Sequence, residues 1–227
     1  MMMWTNLNIK FKEVLFMNPA MKLRNEKAGQ KLVTALKKRH FDAYYCATKE
    51  DALIQALALI PAEHTVAWGG SASAEEIGLI DAVKQNYKVV DRDAAATPEE
   101  RTQLMRQGLL ADTFIMGTNA VSEDGQLVNI DGNGNRVAAL IYGPANVIVI
   151  CGINKMTKTV EDAYTRAHTV AAPINAQRFD LGTPCTKNGT CGDCIGDGCI
   201  CAYAVTTRVC RPAGKIKVIV VGEELGF

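Results

Sequence analysis

Apolar residues follow two alternating spacings along the chain from residue 25 onward. Short apolar runs rich in β-branched side chains predict strands, and the segments between them carry apolar residues at helical spacing. The predicted strands cover residues 41–47, 65–68, 87–90, 113–117, 126–130, 146–151 and 215–221. The predicted helices begin at Asn25, Lys49, Ala74, Pro98, Arg136 and Thr159. These repeated strand–helix units predict an α/β fold with a mostly parallel sheet that helices cover on both faces.

The same pattern divides the chain into two unequal parts. Residues 1–24 are predicted to form an N-terminal helical extension that packs on the body of the protein or on a partner. Residues 25–227 form one predicted α/β domain, with a Cys-rich insert at residues 184–210. A length of 227 residues fits one sizeable domain with a small appendage.

Composition and charge narrow the class of protein. Apolar residues make up 48% and charged residues 22%, which excludes wholesale disorder. The formal net charge of +1 gives no indication of a nucleic acid or an anionic membrane as partner. No apolar run approaches the roughly 18 residues of a membrane span, and polar residues interrupt the N-terminal segment where a signal peptide needs an apolar core. We therefore expect a cytoplasmic protein without membrane insertion.

Two loops and one lysine carry candidate binding chemistry for a small anion. The loop Gly69–Ser73 joins a strand to a helix, where glycines permit close approach and helix N–H groups and hydroxyls face an anion. In the run Asp131–Arg136, Gly and Asn tolerate a positive φ and Arg136 suits a carboxylate or phosphate. Tight or solvated turns are the alternative for both loops, and a surface position is the alternative for Lys155. The candidate ligand-binding residues are Gly69, Gly70, Ser71, Ser73, Asn119, Asp131, Asn133, Asn135, Arg136 and Lys155.

The cysteines indicate a second kind of site. Six of the eight lie between Cys185 and Cys210, and Cys191-Gly192-Asp193-Cys194 is a C-x2-C knuckle that can place two thiolates on one ion. Clustered thiolates suit zinc or an iron–sulfur cluster. A redox or regulatory disulfide and inert thiols are the alternatives. The remaining Cys46 and Cys151 lie in apolar strands and are interpreted as packed thiols, and the three His as structural or exposed.

Several motifs occur in the order typical of a known family. They are Trp68-Gly69-Gly70-Ser71, Glu76-Ile77-Gly78-Leu79, Asp91-Arg92, Thr118-Asn119-Ala120, the run 125–140, Gly143-Pro144, Asn154-Lys155, Ala172-Pro173 and Val221-Gly222-Glu223. Together they resemble the LUD-domain (lactate-utilisation) family, close to its single-domain lactate utilisation protein C branch. The resemblance covers the chain from about residue 26 to residue 227. It implies a bacterial protein linked to the oxidation of L-lactate to pyruvate alongside iron–sulfur partner proteins.

The family's fold is similar to that of the sugar-phosphate isomerase and CoA-transferase superfamily, which implies a Rossmann-like sheet. On that resemblance, the catalytic Asp of the isomerases corresponds to Asn119 here. An amide is not the carboxylate base that isomerisation needs, so the resemblance implies a retained ligand crevice and leaves catalysis open. No catalytic residue is assigned.

Family members similar to this chain also carry cysteines in the insert. The resemblance implies Cys185, Cys191, Cys194 and Cys201 as the metal ligands, with Cys199 or Cys210 as possible substitutes. The sequence thus predicts an accessory component of L-lactate utilisation that binds a small anionic metabolite, works with iron–sulfur proteins and carries an iron–sulfur cluster or zinc. A homodimer is a possible assembly. The alternatives are an independent enzyme acting on a sugar phosphate or CoA ester, and a metal-containing scaffold protein.

Overall fold

The computed structural model describes residues 18–227, and seven of its ten described strands agree closely with the apolar runs. In chain order they are β1 (Asp42–Cys46), β2 (Thr65–Trp68), β3 (Lys88–Val90), β4 (Thr113–Gly117), β5 (Ala120–Ser122), β6 (Leu127–Asp131), β7 (Asn146–Gly152), β8 (Met156–Thr157), β9 (Tyr203–Thr207) and β10 (Ile216–Val221). Six of them form a sheet in the order β1-β10-β7-β4-β2-β3, in which every pair is parallel. The predicted parallel sheet is confirmed.

Helices connect these strands. They are α1 (Pro19–Lys38), α2 (Lys49–Ala58), α3 (Ala72–Glu76), α4 (Leu79–Asn86), α5 (Pro98–Gln107), α6 (Asn135–Tyr142), α7 (Val160–Arg166), α8 (Ala172–Ala176) and α9 (Pro184–Asn188). Within the described residues, none of these helices is long and apolar enough to cross a bilayer.

The first helix begins earlier than its apolar spacing predicts. Asn18 is the N-cap, its side chain accepting the N–H of Ala20, and Pro19 occupies the first turn. The predicted start at Asn25 is wrong, because Asn25 lies inside α1 and its amide donates to the carbonyl of Gly222. Thus α1 crosses the predicted boundary after residue 24, and residues 1–17 of the predicted extension lie outside the described residues.

Alternate residues of the central strands pack on opposite faces of the sheet. Phe114 and Met116 of β4 contact a core that includes Leu32 of α1, whereas Ile115 and Ile148 contact a core formed with α2 and α4. This period of two is the geometry of an extended strand, and it explains why both faces need a helical cover. Burial of each large apolar side chain stabilises the fold by about 1.5–3 kcal/mol.

A second, smaller sheet was not predicted by the sequence. Its order is β8-β5-β6-β9, and β6 pairs antiparallel with both β5 and β9. The strand β9 lies within the Cys-rich insert, after Cys201, and Tyr203 lies opposite Asp131 at the end of β6. This pairing brings the insert next to the predicted loop at residues 131–136, so both candidate sites lie side by side.

The helix predicted to begin at Thr159 continues to Ala176 and is irregular. Thr159 caps α7 in a capping box with Asp162, and the helical path continues through a π-helical segment, Ala167–Ala171, into α8. A π segment shifts the faces of the residues that follow it, and such segments are frequent at functional sites. Here it carries His168, which lines the cavity of the Cys-rich insert.

Candidate functional site

A cavity of about 600 Å³ opens at the carboxyl ends of β2, β4, β6 and β7. This is the edge where open α/β sheets bind ligands. Most of the predicted ligand-binding residues line it, namely Gly70, Ser71, Asn119, Asp131, Asn133, Asn135, Arg136 and Lys155. The other two lie behind the wall, where Gly69 contacts Arg136 and Ser73 contacts Lys155.

The loop at residues 69–73 forms one wall of the cavity. Ser71 is the N-cap of α3, and its hydroxyl accepts the N–H of Ala74, which occupies one of the donors expected to face an anion. A Cβ atom at Gly69 would lie 2.9 Å from Cγ of Arg136. Glycine at this position therefore leaves room for the Arg136 side chain to pass over the loop. The sequence predicts a close approach here, and the group that approaches is this arginine rather than a ligand.

Asp131 and Arg136 hold the loop at residues 131–136 in place. One carboxylate oxygen of Asp131 accepts the N–H groups of Asn133 and Gly134, and the other accepts Nε of Arg136 at 3.2 Å. Gly134 has a φ of +75°, which suits glycine. The remaining Arg136 donors bond to oxygen atoms of Gly117, Asn119, Asn129 and Ile130. The guanidinium is thus paired inside the protein and positions the cavity wall.

Lys155 is the most deeply buried cation of the cavity. Its side chain follows β7, the residue is 4% exposed, and Nζ donates a hydrogen bond of 2.8 Å to the hydroxyl of Ser73. None of the ion pairs among residues 18–227 includes Lys155. Burial lowers the pKa of Lys155 to about 8 because the protonated form has lost its water. The ammonium has no carboxylate within ion-pair distance among the described residues, and Glu76 attracts it only from farther away.

Arg92 is a second cation of the cavity, and the sequence did not identify it as a candidate binding residue. Its side chain is 14% exposed, and Nε has no hydrogen-bond partner within the described chain. Burial lowers the pKa of Arg92, and the nearest carboxylate oxygen, on Asp93, is 3.6 Å from Nε. Asp93 itself accepts hydrogen bonds from Trp68 and Arg101. The signal for Arg92 was available, because it follows β3 at the same edge of the sheet.

The acidic residues that line the cavity without an ion pair lie at its rim. Glu75 and Asp197 are both exposed, so water screens their charge. Lys155 and Arg92 lie deeper, where the lower dielectric strengthens their field. The interior of the cavity therefore favours a negatively charged ligand.

Five of the six clustered cysteines surround a second, small cavity of about 20 Å³. They are Cys185, Cys191, Cys194, Cys199 and Cys201, and His168 lines the same cavity. Cys210 lies elsewhere, because its side chain packs in the apolar core and its sulfur accepts the N–H of Ile216. The expectation that Cys210 substitutes as a ligand is therefore wrong. Cys46 and Cys151 are buried in β1 and β7.

The thiols of this cluster contact one another and the imidazole. Sγ of Cys191 lies 3.6 Å from Nε2 of His168, a neighbour that the sequence did not identify. Burial and the adjacent Cys199 raise the pKa of Cys201 to about 12, so this thiol is protonated unless a cation replaces the proton. Within the part of the chain that the structure describes, no three His, Cys, Asp or Glu side chains are already arranged as a metal site. The donor types nevertheless fit zinc or an iron–sulfur cluster.

The two cavities share a wall. Cys199 and Ile200 line both of them, and a Cβ atom at Gly132 would lie 3.3 Å from Cα of Ile200. The Cys-rich insert therefore packs directly against the loop that Asp131 and Arg136 organise.

These features define an α/β domain with an anion-favouring cavity and an adjoining thiol cluster. The sequence profile of the LUD domain matches residues 29–221, and the chain belongs to the LUD domain family. The family resemblance is confirmed. Membership indicates a role related to lactate utilisation.

Solved structures and curated proteins were also compared. A DUF162 family protein from Deinococcus radiodurans is similar, with 13% identity, a TM-score of 0.46 and coverage of 88% of this chain and 98% of that one. The eIF2B beta structure from Chaetomium thermophilum has 18% identity, a TM-score of 0.35 and coverage of 51% and 45%. No match was found among curated proteins.

Proposed function

We propose that this protein is an accessory component of L-lactate utilisation that binds a small anionic metabolite in the 600 Å³ cavity. The observation that supports anion binding is Lys155, a buried ammonium whose hydrogen-bond partner is the neutral hydroxyl of Ser73. The pathway half rests on membership in the LUD domain family.

The physical argument starts from the cost of burying a charge. An ammonium removed from water is unfavourable unless an anion pairs with it. A carboxylate or phosphate beside Nζ supplies that pairing, and Ser73 fixes the direction of the ammonium. Arg92 adds a second positive charge to the same cavity, where the nearest carboxylate, that of Asp93, lies 3.6 Å from Nε. Both groups attract an anion through charge and N–H donors, which suits a binding component.

The proposed partners are iron–sulfur proteins of a lactate-oxidising system, and the proposed location is the cytoplasm. Both follow from the family resemblance. The protein's own contribution in this proposal is to present or sense the acid substrate or its oxidised product. A homodimer remains a possible assembly.

The test is calorimetric binding to the full chain, using L-lactate, pyruvate, inorganic phosphate and a sugar phosphate. Lys155→Met removes the ammonium while keeping a long side chain, and Lys158→Met is the matched control because Lys158 pairs with Glu123 away from the cavity. We expect one of these anions to bind, with affinity at least about tenfold weaker in Lys155→Met and unchanged in Lys158→Met. Absence of binding to every anion, or equal binding by the Lys155 variant, contradicts the proposal.

The alternative of an independent enzyme needs a carboxylate base in the cavity. Glu123 does not line the cavity, and Lys31 and Lys158 pair with it on the surface. Asp131 uses both carboxylate oxygens to hold its own loop and Arg136. Asp93 is paired with Arg92 and Arg101, and Glu75 and Asp197 lie exposed at the rim, so the geometry favours binding over catalysis. Turnover of a sugar phosphate or CoA ester that is lost in Asp131→Asn would reverse this preference.

A further inference from the structure

His168 and Cys191 form a donor pair outside the ligand-binding cavity. Sγ of Cys191 lies 3.6 Å from Nε2 and 3.8 Å from Nδ1 of His168. The imidazole is held by stacking on Tyr164, with ring centroids 5.8 Å apart and planes inclined by 21°. The π-helical segment Ala167–Ala171 aims this side chain at the Cys-rich insert.

The separation of the pair matches one edge of a zinc coordination tetrahedron. Zinc holds thiolate sulfur at about 2.3 Å and imidazole nitrogen at about 2.0 Å, so two such ligands are separated by about 3.5 Å. The distance from Cys191 to His168 is 3.6 Å. The N–H of Asp193 also points at Sγ of Cys191, 3.4 Å away, where it stabilises a thiolate.

The volume between the thiols favours a single ion over a cluster. The cavity that the five cysteines and His168 surround is about 20 Å³. A volume of about 10–15 Å³ holds one water-sized particle, so this space fits one ion. An iron–sulfur cluster contains several iron and sulfide atoms and needs a larger space.

We propose that His168 and Cys191, with two further thiols from Cys185, Cys194 and Cys201, bind one zinc ion. His168 thereby replaces one of the four cysteines that the family resemblance implies. Binding releases the protons of the coordinating thiols. The zinc proposal rests on other residues than the anion-binding proposal, because Cys185, Cys191, Cys194, Cys201 and His168 do not line the larger cavity.

The test measures the metal content of the full chain purified without added metal, followed by zinc titration of each variant. Cys191→Ala and His168→Asn are the test variants. Cys46→Ala and His64→Asn are matched controls, since Cys46 is buried in β1 and His64 bonds to Thr113. We expect about one zinc per chain in the unmodified protein and the controls, and zinc affinity at least about tenfold weaker in both test variants.

X-ray absorption at the zinc edge of the unmodified protein keeps the test independent of variant folding. We expect one nitrogen ligand at about 2.0 Å and sulfur ligands at about 2.3 Å. Iron with acid-labile sulfide, a shell of sulfur ligands alone, or no bound metal after zinc titration would each overturn the proposal.

Discussion

Lys155 donates its 2.8 Å hydrogen bond to Ser73 in a place where neither side chain is exposed to solvent. The hydroxyl of Ser73 also donates to the carbonyl of Leu225 at 3.4 Å. The pair therefore gives the ammonium an orientation but no counter-charge. A protein that keeps such a group in its binding cavity loses stability in the unliganded state and recovers it when an anion binds.

This cost predicts that Lys155→Met stabilises the unliganded protein. Folding lowers the pKa of Lys155 from 10.5 to about 8, so the unfolded chain binds the proton more tightly. The penalty is absent above pH 10.5, grows as the pH falls to about 8, and is complete below pH 8; it amounts to about 3 kcal/mol. Urea unfolding at several pH values should show the variant more stable at pH 7 and equal to the parent above pH 10.5.

Lys158→Met is the control for that measurement. Lys158 is exposed and pairs with Glu123 on the surface, so its replacement should leave stability nearly unchanged. A destabilised Lys155→Met at pH 7 would show that the ammonium contributes more through its hydrogen bond than it costs through burial.

Anion binding should weaken as the pH rises through the pKa of Lys155. The protonated amine attracts an anion, and its pKa in the free protein is about 8. Above that value each binding event must also take up a proton, so the dissociation constant should rise about tenfold per pH unit. Calorimetry with inorganic phosphate or pyruvate between pH 6.5 and 9.5 in buffers of different ionisation enthalpy measures both the slope and the proton uptake. A flat profile above pH 8 would remove Lys155 from the binding site.

Much of the fold was predictable because its strands are buried on both faces. The run at residues 146–151 is apolar throughout, and a central parallel strand needs that composition. The second sheet was missed for the opposite reason, since β9 is largely exposed and β8 has two residues. The pairing of β8 and β9 depends on contacts with residues distant in sequence, and the local pattern of apolar and polar residues does not reveal such contacts.

The loops that form the site were predictable from the sequence, but the contacts and functions of their side chains were not. Strand ends identified the loops at residues 69–73 and 131–136, and both line the cavity. The sequence did not show that the Arg136 guanidinium donates its hydrogen bonds to other groups of the protein. It also did not show that the Arg92 side chain is buried. The position of His168 beside the thiols was likewise not predictable, because its contact with Cys191 joins residues on separate elements.

Arg136 should matter for stability rather than for direct anion recognition. Its side chain is 12% exposed and pairs with Asp131, which is 8% exposed. Removing one partner of a buried ion pair leaves the other uncompensated, so Arg136→Ala should lower the free energy of unfolding by about 3 kcal/mol or more. Urea denaturation measures the loss.

Arg178→Ala is the matched control for Arg136, because Arg178 lines the same cavity from an exposed position. We expect its effect on stability to stay below about 0.5 kcal/mol. Arg136→Lys keeps the charge but loses the planar fork, so it should rescue only part of the loss. Equal stability of Arg136→Ala and the parent would show that the loops at residues 69–73 and 131–136 are held by other contacts.

Removal of zinc should weaken anion binding through the wall that the two cavities share. Cys199 and Ile200 line both cavities, and Ile200 packs against Gly132 of the loop that borders the larger one. A metal on His168 and Cys191 fixes the insert, so its loss frees that wall. We therefore expect affinity for the anion to fall about tenfold, which corresponds to about 1.4 kcal/mol of coupling.

Calorimetry on chelator-treated and zinc-reloaded protein measures the effect, with His64→Asn treated in the same way as the control. Because coupling is reciprocal, the anion should raise zinc affinity by the same factor. Equal anion affinity with and without zinc would mean that the insert keeps its position unaided, and the two sites would then act independently.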